Sequence, residues 1–136
     1  MPRRSFSPMG KEIPAGRPKI IEDYWYSIEW DVETLWALDL PVEPMQVADL
    51  LWHIDVPVWG DYQVSPREVL ADPVTHAAEY HRMLRADLAY PLEVARIKGR
   101  WMILDGIHRL LKAHSLGLAA IDVRKVPAEH LAPFAR

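Results

Sequence analysis

The sequence predicts a single α+β domain with a small mixed sheet. From residue 73 onward, the apolar periodicity predicts the order helix, strand, strand, helix, strand. Two of these strands are joined by Lys98-Gly99, a step that is typical of a tight hairpin turn. A chain of 136 residues, half of them hydrophobic, is long enough to bury one core. We therefore place an N-terminal arm at residues 1–19 and one domain at residues 20–136.

The N-terminal part of this domain is rich in aromatic residues. In the segment DYWYSIEWDV, apolar side chains alternate from Tyr24 to Val32, which predicts an aromatic strand half buried at a sheet edge. We expect the segment to pack on the central domain or to form a homodimer contact, because a chain this short has little else to cover it. The next segment, ETLWALDLPVEP, is interpreted as a short helical turn broken by Pro41 and Pro44.

The middle of the chain contains a short strand and two helix starts. Residues 45–59 are expected to begin as a strand, turn after Ala48 and continue as a loop limited by prolines. Ser65 and Asp72 each precede a proline, which is the pattern of an N-cap followed by proline at the first helical position. The second helix is predicted from residue 73. Its expected apolar face comprises Val74, Ala77, Ala78, His81, Leu84 and Leu88.

The last three elements follow from local signals. The segment LEVARIKGRWMIL predicts the hairpin, and Asp105-Gly106 ends its second strand. Helical spacing begins again at Ile107 and stops at Gly117, which is the residue type expected after a helix C-terminus. The segment AIDVRKV alternates and predicts the closing strand.

Composition excludes several classes of function. The chain has no cysteine, which removes disulfides, thiolate metal sites and cysteine nucleophiles. The formal net charge of −3 gives no electrostatic footprint for nucleic acid. No apolar run approaches the roughly 20 residues that span a bilayer, and the basic N-terminal residues lack the apolar core of a secretory signal. We therefore expect a cytoplasmic protein without a membrane partner.

The strongest candidate site is the step from strand to helix in LDGIHRLLK. The first amides of a helix have no intrahelical partners and carry partial positive charge, and Gly106 allows close approach to the backbone. His108, Arg109 and Lys112 add donors, so the pattern indicates an anion site, with phosphate as the common occupant. Arg109 is expected to face ligand or solvent and to matter little for stability. The alternative is that Asp105 only caps the helix and that the basic side chains are solvated.

Residues 63–127 resemble the ParB/sulfiredoxin-like superfamily. The resemblance is carried by PLEV, a hairpin, the hydrophobic run into LDGIHR, a short helix ending in LG and a closing strand. In that superfamily the Gly-x-(His/Arg)-Arg turn and the following helix start bind nucleotide phosphates. The resemblance implies a nucleoside triphosphate or diphosphate as cofactor, with phosphate contacts from Gly106, the Ile107 backbone, His108 and Arg109.

Differences from individual members narrow the expected activity. Sulfiredoxins have their catalytic cysteine where this chain has Ile107, so their chemistry is not expected. ParB proteins continue into a helix-turn-helix domain, whereas only ten residues follow Val126, so sequence-specific DNA binding is not expected. LDGIHRL is most similar to the DGHHR motif of the free-serine kinases, although Ile107 replaces the first histidine. This similarity implies phosphoryl transfer to a small hydroxylated molecule with Mg²⁺ alongside, and Asp105 and His108 as catalytic residues.

Two other functions remain open at this stage. The first is a non-enzymatic module that binds a nucleotide or a protein, and the second is a ParB-like protein associated with DNA. An acid or base beside the phosphate site would separate an enzyme from a binding module. Asp105 offers such a group, near the reacting hydroxyl, but it would also serve as a helix cap.

Further polar residues are weaker candidates. Trp52, His53 and Trp59 would line the floor of a substrate pocket, or else close the edge of the domain. On the predicted second helix, the spacing of His76 and Glu79 would pair a base with its orienting group, with His81 nearby on the apolar face. A solvated helix surface is the simpler interpretation of these three residues. The scattered histidines have no zinc-ligand spacing, so no metal site is predicted.

Overall fold

A computed structural model describes residues 19–24 and 28–133. Four strands form one mixed sheet in the order β2-β5-β3-β4. They are β2 (Val42–Gln46), β3 (Leu92–Ile97), β4 (Arg100–Asp105) and β5 (Ala120–Lys125). Strands β3 and β5 are parallel, whereas the pairs β2–β5 and β3–β4 are antiparallel. The predicted class, α+β with a small mixed sheet, is therefore confirmed.

Short helices connect and cover these strands. They are α1 (Lys19–Tyr24), α2 (Val32–Ala37), α3 (Val47–Leu50), α4 (Pro66–Ala71), α5 (Ala77–Arg85) and α6 (Ile107–Ser115), with 3-10 turns at Leu51–Asp55 and Ala128–His130. A separate two-stranded sheet pairs β1 (Ile28–Glu29) with β6 (Ala132–Pro133). Across the described ranges, the helices are too short or too polar to cross a bilayer. Except for Lys19, the predicted arm lies outside the described residues.

Local sequence signals place several elements as predicted. The hairpin turns at Lys98 and Gly99, whose φ angles of 52° and 79° are both positive, as a two-residue hairpin turn requires. The Ser65 hydroxyl accepts the Glu68 amide at 3.3 Å and caps α4. Helix α6 is followed by Gly117 at φ 72°, the left-handed residue that commonly ends a helix.

The sheet has an apolar cluster on each face. Successive residues of β4 point to opposite faces, so Ile103 joins one cluster while Met102 and Leu104 join the other. The first cluster packs against α3, α5 and α6. The second is covered by the N-terminal segment, where Leu35 is buried and the Trp30 indole N–H donates to the Leu104 carbonyl at 3.2 Å. The N-terminal aromatic segment therefore packs on the central domain.

The predicted aromatic strand from Tyr24 to Val32 is wrong for most of its length. Tyr24 ends α1, only Ile28–Glu29 is a strand, and Val32 begins α2. A helix begins there because the Asp31 carboxylate accepts the Glu33 amide at 3.1 Å and caps it. The three residues that precede β1 lie outside the described part of the chain.

The predicted second helix begins four residues late. Residues 73–76 form a turn, because the Asp72 carboxylate accepts the Thr75 amide at 3.2 Å, and the helix starts only at Ala77. Its predicted apolar face is also wrong. Val74 is 88% exposed and His81 is exposed, whereas Met83 is the buried residue of α5.

Candidate functional site

A pocket of about 670 Å³ opens at the N-terminal end of α6. We call it the α6 pocket. Its wall includes Trp36 from α2, Glu93 from β3 and Arg124 from β5, together with residues at the end of β4 and the start of α6. The pocket therefore lies where the predicted strand-to-helix step meets the N-terminal segment.

Glu93 and Asp105 face each other across β3 and β4, where the strand register shifts after Glu93. The Glu93 side chain is only 5% exposed, and its Oε1 lies 3.7 Å from Arg124 Nη1. Its second oxygen, Oε2, is buried without a hydrogen-bond partner among the described residues. Burial raises the pKa of Glu93, and the Asp105 charge raises it further, against the opposing influence of Arg109 and Arg124.

Asp105 does not cap α6. Gly106 occupies the N-cap position at φ 118°, and no side chain caps the helix there. The Asp105 Oδ2 atom instead accepts the Trp36 indole N–H at 3.0 Å and Arg109 Nη2 at 3.1 Å. The capping alternative is therefore wrong. Gly106 has no room for a side chain, because a Cβ would lie 2.8 Å from Leu92 Cγ.

Arg109 is a structural clamp between α6 and the turn before β3. Its Nη1 donates to the Pro91 carbonyl at 2.6 Å and to the Tyr90 carbonyl at 3.2 Å, in addition to the Asp105 contact. The side chain is only 17% exposed. Most of the Arg109 side chain therefore faces the protein rather than ligand or solvent, although part of its surface lines the α6 pocket. From these contacts we now expect Arg109 to matter for stability.

Lys112 also serves the fold. Its ammonium donates to the carbonyls of Leu84 and Ala86, at 2.8 and 2.7 Å, where α5 ends. Cations at a helix C-terminus satisfy the last carbonyls and oppose the helix dipole. The Lys112 ammonium is thus occupied by α5 rather than directed at the start of α6.

His108 lines the pocket and has partners on two other elements. Its Nε2 lies 2.6 Å from Glu79 Oε2 on α5, and its ring stacks on Trp59, with centroids 4.4 Å apart and planes at 20°. Glu79 therefore pairs with His108, whereas the spacing alone suggested His76. Trp59 touches the site through this stack.

Trp52 and His53 lie away from the α6 pocket. His53 is fully buried, with Nδ1 at 2.7 Å from the Leu50 carbonyl and Nε2 accepting the Ile103 amide at 2.9 Å. The Trp52 indole N–H donates to the Trp101 carbonyl at 3.1 Å. Desolvation lowers the pKa of His53 to about 3, so this ring is neutral and ties the 3-10 turn to β4.

Sequence reasoning did not place Trp36, Glu93 or Arg124 at the site, although all three line the pocket. Glu93 had a usable signal, since it is the charged residue in a strand whose neighbours are apolar. Arg124 holds the end of α2 through the carbonyls of Leu35, at 3.4 Å, and Leu38. The positions of Trp36 and Arg124 depend on how α2 packs, which no local pattern records.

The pocket is lined by three carboxylates and three guanidinium groups, so their formal charges balance: Asp87, Glu93 and Asp105 with Arg82, Arg109 and Arg124. Within the described ranges, no three histidine, aspartate or glutamate side chains come together as a metal site. The arrangement can bind a polar ligand, and it can take up a proton at Glu93. In comparisons with family models, curated proteins and solved structures, nothing matches this chain.

Proposed function

We propose that the α6 pocket binds a nucleotide through its phosphates and transfers a phosphoryl group to the hydroxyl of a small molecule. The observation that carries this proposal is Glu93. It is a buried carboxylate with one unpartnered oxygen and a raised pKa, and it lines a pocket at a helix N-terminus. Such groups are candidates for acid–base chemistry.

In this proposal the phosphates lie against the start of α6. The first amides of this nine-residue helix have no intrahelical partners and carry partial positive charge, and the pocket wall includes Gly106 and His108 at this end. The backbone of Gly106 lines the pocket, and His108 adds a side-chain contact. Arg109 contributes less than its sequence position suggested, because its donors already serve two carbonyls and Asp105.

Glu93 takes the role of general base, and Asp105 orients the acceptor beside it. The acceptor hydroxyl gives its proton to Glu93 Oε2 while its oxygen bonds to the terminal phosphorus. The bond from that phosphorus to the bridging oxygen breaks, and the nucleotide leaves with one phosphate fewer. Phosphoryl transfer needs chiefly positioning and charge neutralisation from the protein. Arg124 and Arg109 supply positive charge beside the two carboxylates.

Mg²⁺ would enter with the nucleotide in this proposal. Magnesium keeps several waters and is commonly bound through one or two carboxylates plus substrate phosphates. Asp105 in the pocket wall suits that donor set and leaves Glu93 for the proton, whereas a site built from protein ligands alone does not form among the described residues. The ParB/sulfiredoxin-like assignment and a cytoplasmic location belong to the same proposal.

The test begins with thermal unfolding in the presence of nucleoside di- and triphosphates, with and without Mg²⁺. A ligand that binds the folded state raises the melting temperature. Candidate hydroxylated acceptors are then supplied with the nucleotide that binds, and phosphorylated products are followed by ³¹P NMR. Glu93→Gln should keep nucleotide binding and lose product formation. Glu68→Gln, an exposed glutamate on α4, is the matched control and should change neither.

A non-enzymatic binding module is the second candidate. It is favoured by the clamp role of Arg109 and Lys112, which leaves few free cations at the site. The same experiment separates the two functions. Nucleotide binding by the parent protein without turnover of any acceptor would favour the binding module, because both functions expect Glu93→Gln to keep binding.

A further inference from the structure

We infer that Glu79 is a positioning residue for His108, and that with Trp59 it presents the His108 Nδ1 atom to the phosphate bound in the α6 pocket. This inference rests on the proposed function and adds a specific role for residues on two neighbouring elements. It starts from a close side-chain contact at the pocket, 2.6 Å between His108 Nε2 and Glu79 Oε2.

The contact decides which ring nitrogen remains available. A carboxylate only accepts hydrogen bonds when ionised, so the Nε2 atom of His108 carries a proton and donates it to Glu79. No other hydrogen bond of the ring appears among the described residues, and its Nδ1 atom is therefore the one that a ligand can use. Because phosphate oxygens only accept hydrogen bonds, a phosphate is bound by the imidazolium form, in which Nε2–H donates to Glu79 and Nδ1–H donates to the phosphate. His108 itself lines the pocket.

Trp59 fixes the ring plane. Its indole stacks on the imidazole with an interplanar angle of 20°. Trp59 is held in turn by a tight loop, in which its amide donates to the Val64 carbonyl at 3.1 Å and its carbonyl accepts the Val64 amide at 3.0 Å. Asp61 and Tyr62 adopt positive φ angles of 56° and 65° to close this loop, a conformation that side-chain-bearing residues adopt at a cost.

Glu79 is suited to hold the ring in place. It lies on α5, which packs against α6, and its second oxygen is 3.5 Å from Arg82. One hydrogen bond fixes the imidazole from α5 while the stack fixes it from the loop. Two independent contacts on different elements restrict both the position and the rotation of the ring. A ligand phosphate would then meet a preorganised donor, which lowers the cost of binding.

The experiment combines a spectroscopic measurement with a binding measurement. Long-range ¹H–¹⁵N correlation spectra report which imidazole nitrogen is protonated, and His108→Gln identifies the His108 signals. We expect a proton on Nε2 in the parent protein, protons on both ring nitrogens when phosphate is bound, and a loss of the fixed Nε2–H in Glu79→Ala. Glu79→Gln, which keeps an acceptor oxygen, should retain it in part. His81→Ala, an exposed histidine on the same helix, is the control and should change nothing.

Binding of ADP, ATP and inorganic phosphate is measured by calorimetry on the same proteins. Glu79→Ala should weaken phosphate binding about tenfold, because the hydrogen bond that positions the His108 ring is lost. Glu79→Gln should recover part of that loss. Trp59→Phe should keep the stack and bind nearly as the parent does.

The outcomes distinguish this inference from the proposed function. If the parent binds phosphate and Glu79→Ala binds equally well, the inference is wrong and the proposed function stands. An unchanged Nε2–H signal in a folded Glu79→Ala protein also overturns the inference. If the parent binds none of the three probes, the proposed function and the ligand role of His108 fail together.

Discussion

Acid should destabilise this protein through His53, which lies in the core in its neutral form. The His53 Nδ1 atom donates to the Leu50 carbonyl, and Nε2 accepts the Ile103 amide at 2.9 Å. Adding a proton at Nε2 would break the bond to Ile103 and would place a charge among apolar side chains. Burial therefore lowers the pKa of His53 from its ordinary value of 6.5 to about 3.

The size of the effect follows from these two pKa values. Between pH 6.5 and pH 3, the unfolded chain binds a proton on His53 that the folded chain does not bind. The free energy of unfolding therefore falls as the pH falls, by about 1.4 kcal/mol for each pH unit. From pH 7 to pH 4.5, His53 should remove about 2.5 kcal/mol of stability. Above pH 6.5 its contribution is complete and no longer changes.

Urea unfolding of the parent and of His53→Gln at pH 7, 5.5 and 4.5 measures this effect. Glutamine offers a donor and an acceptor but does not titrate in this range. The comparison is needed because other groups also respond to acid. Hydrogen bonds from Arg67 and Thr75 lower the pKa values of Asp55 and Asp72. The stabilisation that these two carboxylates give the fold is therefore lost when acid protonates them. These contributions are common to both proteins and cancel in the difference.

The reasoning is refuted if the parent and His53→Gln lose stability in parallel between pH 7 and pH 4.5. It is also refuted if an NMR titration shows the His53 ring of the folded protein gaining its proton near pH 6.5. Either result would mean that the ring is solvated when the protein is folded.

Three further predictions concern the α6 pocket. Arg109→Ala should lower the free energy of unfolding by about 2–3 kcal/mol in urea titrations, because it leaves two carbonyls and a partly buried carboxylate without their donor. Gly106→Ala should lower the free energy of unfolding by at least about 2 kcal/mol in the same measurement, since strain at φ 118° adds to the clash with Leu92. The control for strain alone is Gly99→Ala, because the position of its Cβ is open. Glu93→Gln should unfold at the same or a higher temperature at pH 8, because a carboxyl with a raised pKa destabilises the fold as the pH rises, and a lower temperature would contradict its placement.

Elements with local signals could be predicted from the sequence. Lys98-Gly99 forms the hairpin turn because two consecutive residues there take positive φ, and Gly117 follows α6 for the same kind of reason. Ser65 caps α4 with one hydrogen bond to a residue three positions away. Each of these signals acts within a few residues, so the rest of the fold hardly changes it.

Elements that depend on distant contacts could not be predicted in this way. The alternation around Trp30 suggested a long strand, but Asp31 caps a helix that interrupts it. The sequence contains both the alternation of a strand and the cap of a helix, and packing decides between them. Leu35 is buried because α2 covers the sheet. The burial of Glu93 depends on the same segment, since Arg124 holds α2 beside it.

The position of the candidate site could be predicted from the sequence, but the contacts of its side chains differ from the predicted ones. The motif LDGIHR marked the start of α6, and the pocket lies there. The sequence predicted that Arg109 binds the ligand, because a basic residue at the start of a helix is typical of an anion site. It could not see that the Pro91 carbonyl lies 2.6 Å from that guanidinium. Cysteine-free composition and the charge of −3 excluded whole classes of chemistry without any structure.

The charge balance of the pocket follows from this use of Arg109. A site with free arginines would attract any anion. Here Arg109 faces Asp105, Arg124 faces Glu93, and Arg82 lies 3.5 Å from Glu79. A phosphate alone would therefore gain little from these pairs and would depend on the amides of α6 and on His108. A ligand that carries both a phosphate and a hydroxyl acceptor beside it would use the amides and the unpartnered Glu93 oxygen together. If the proposed function is right, the pocket should favour a complete set of reactants over a bare anion, which is the discrimination that phosphoryl transfer needs.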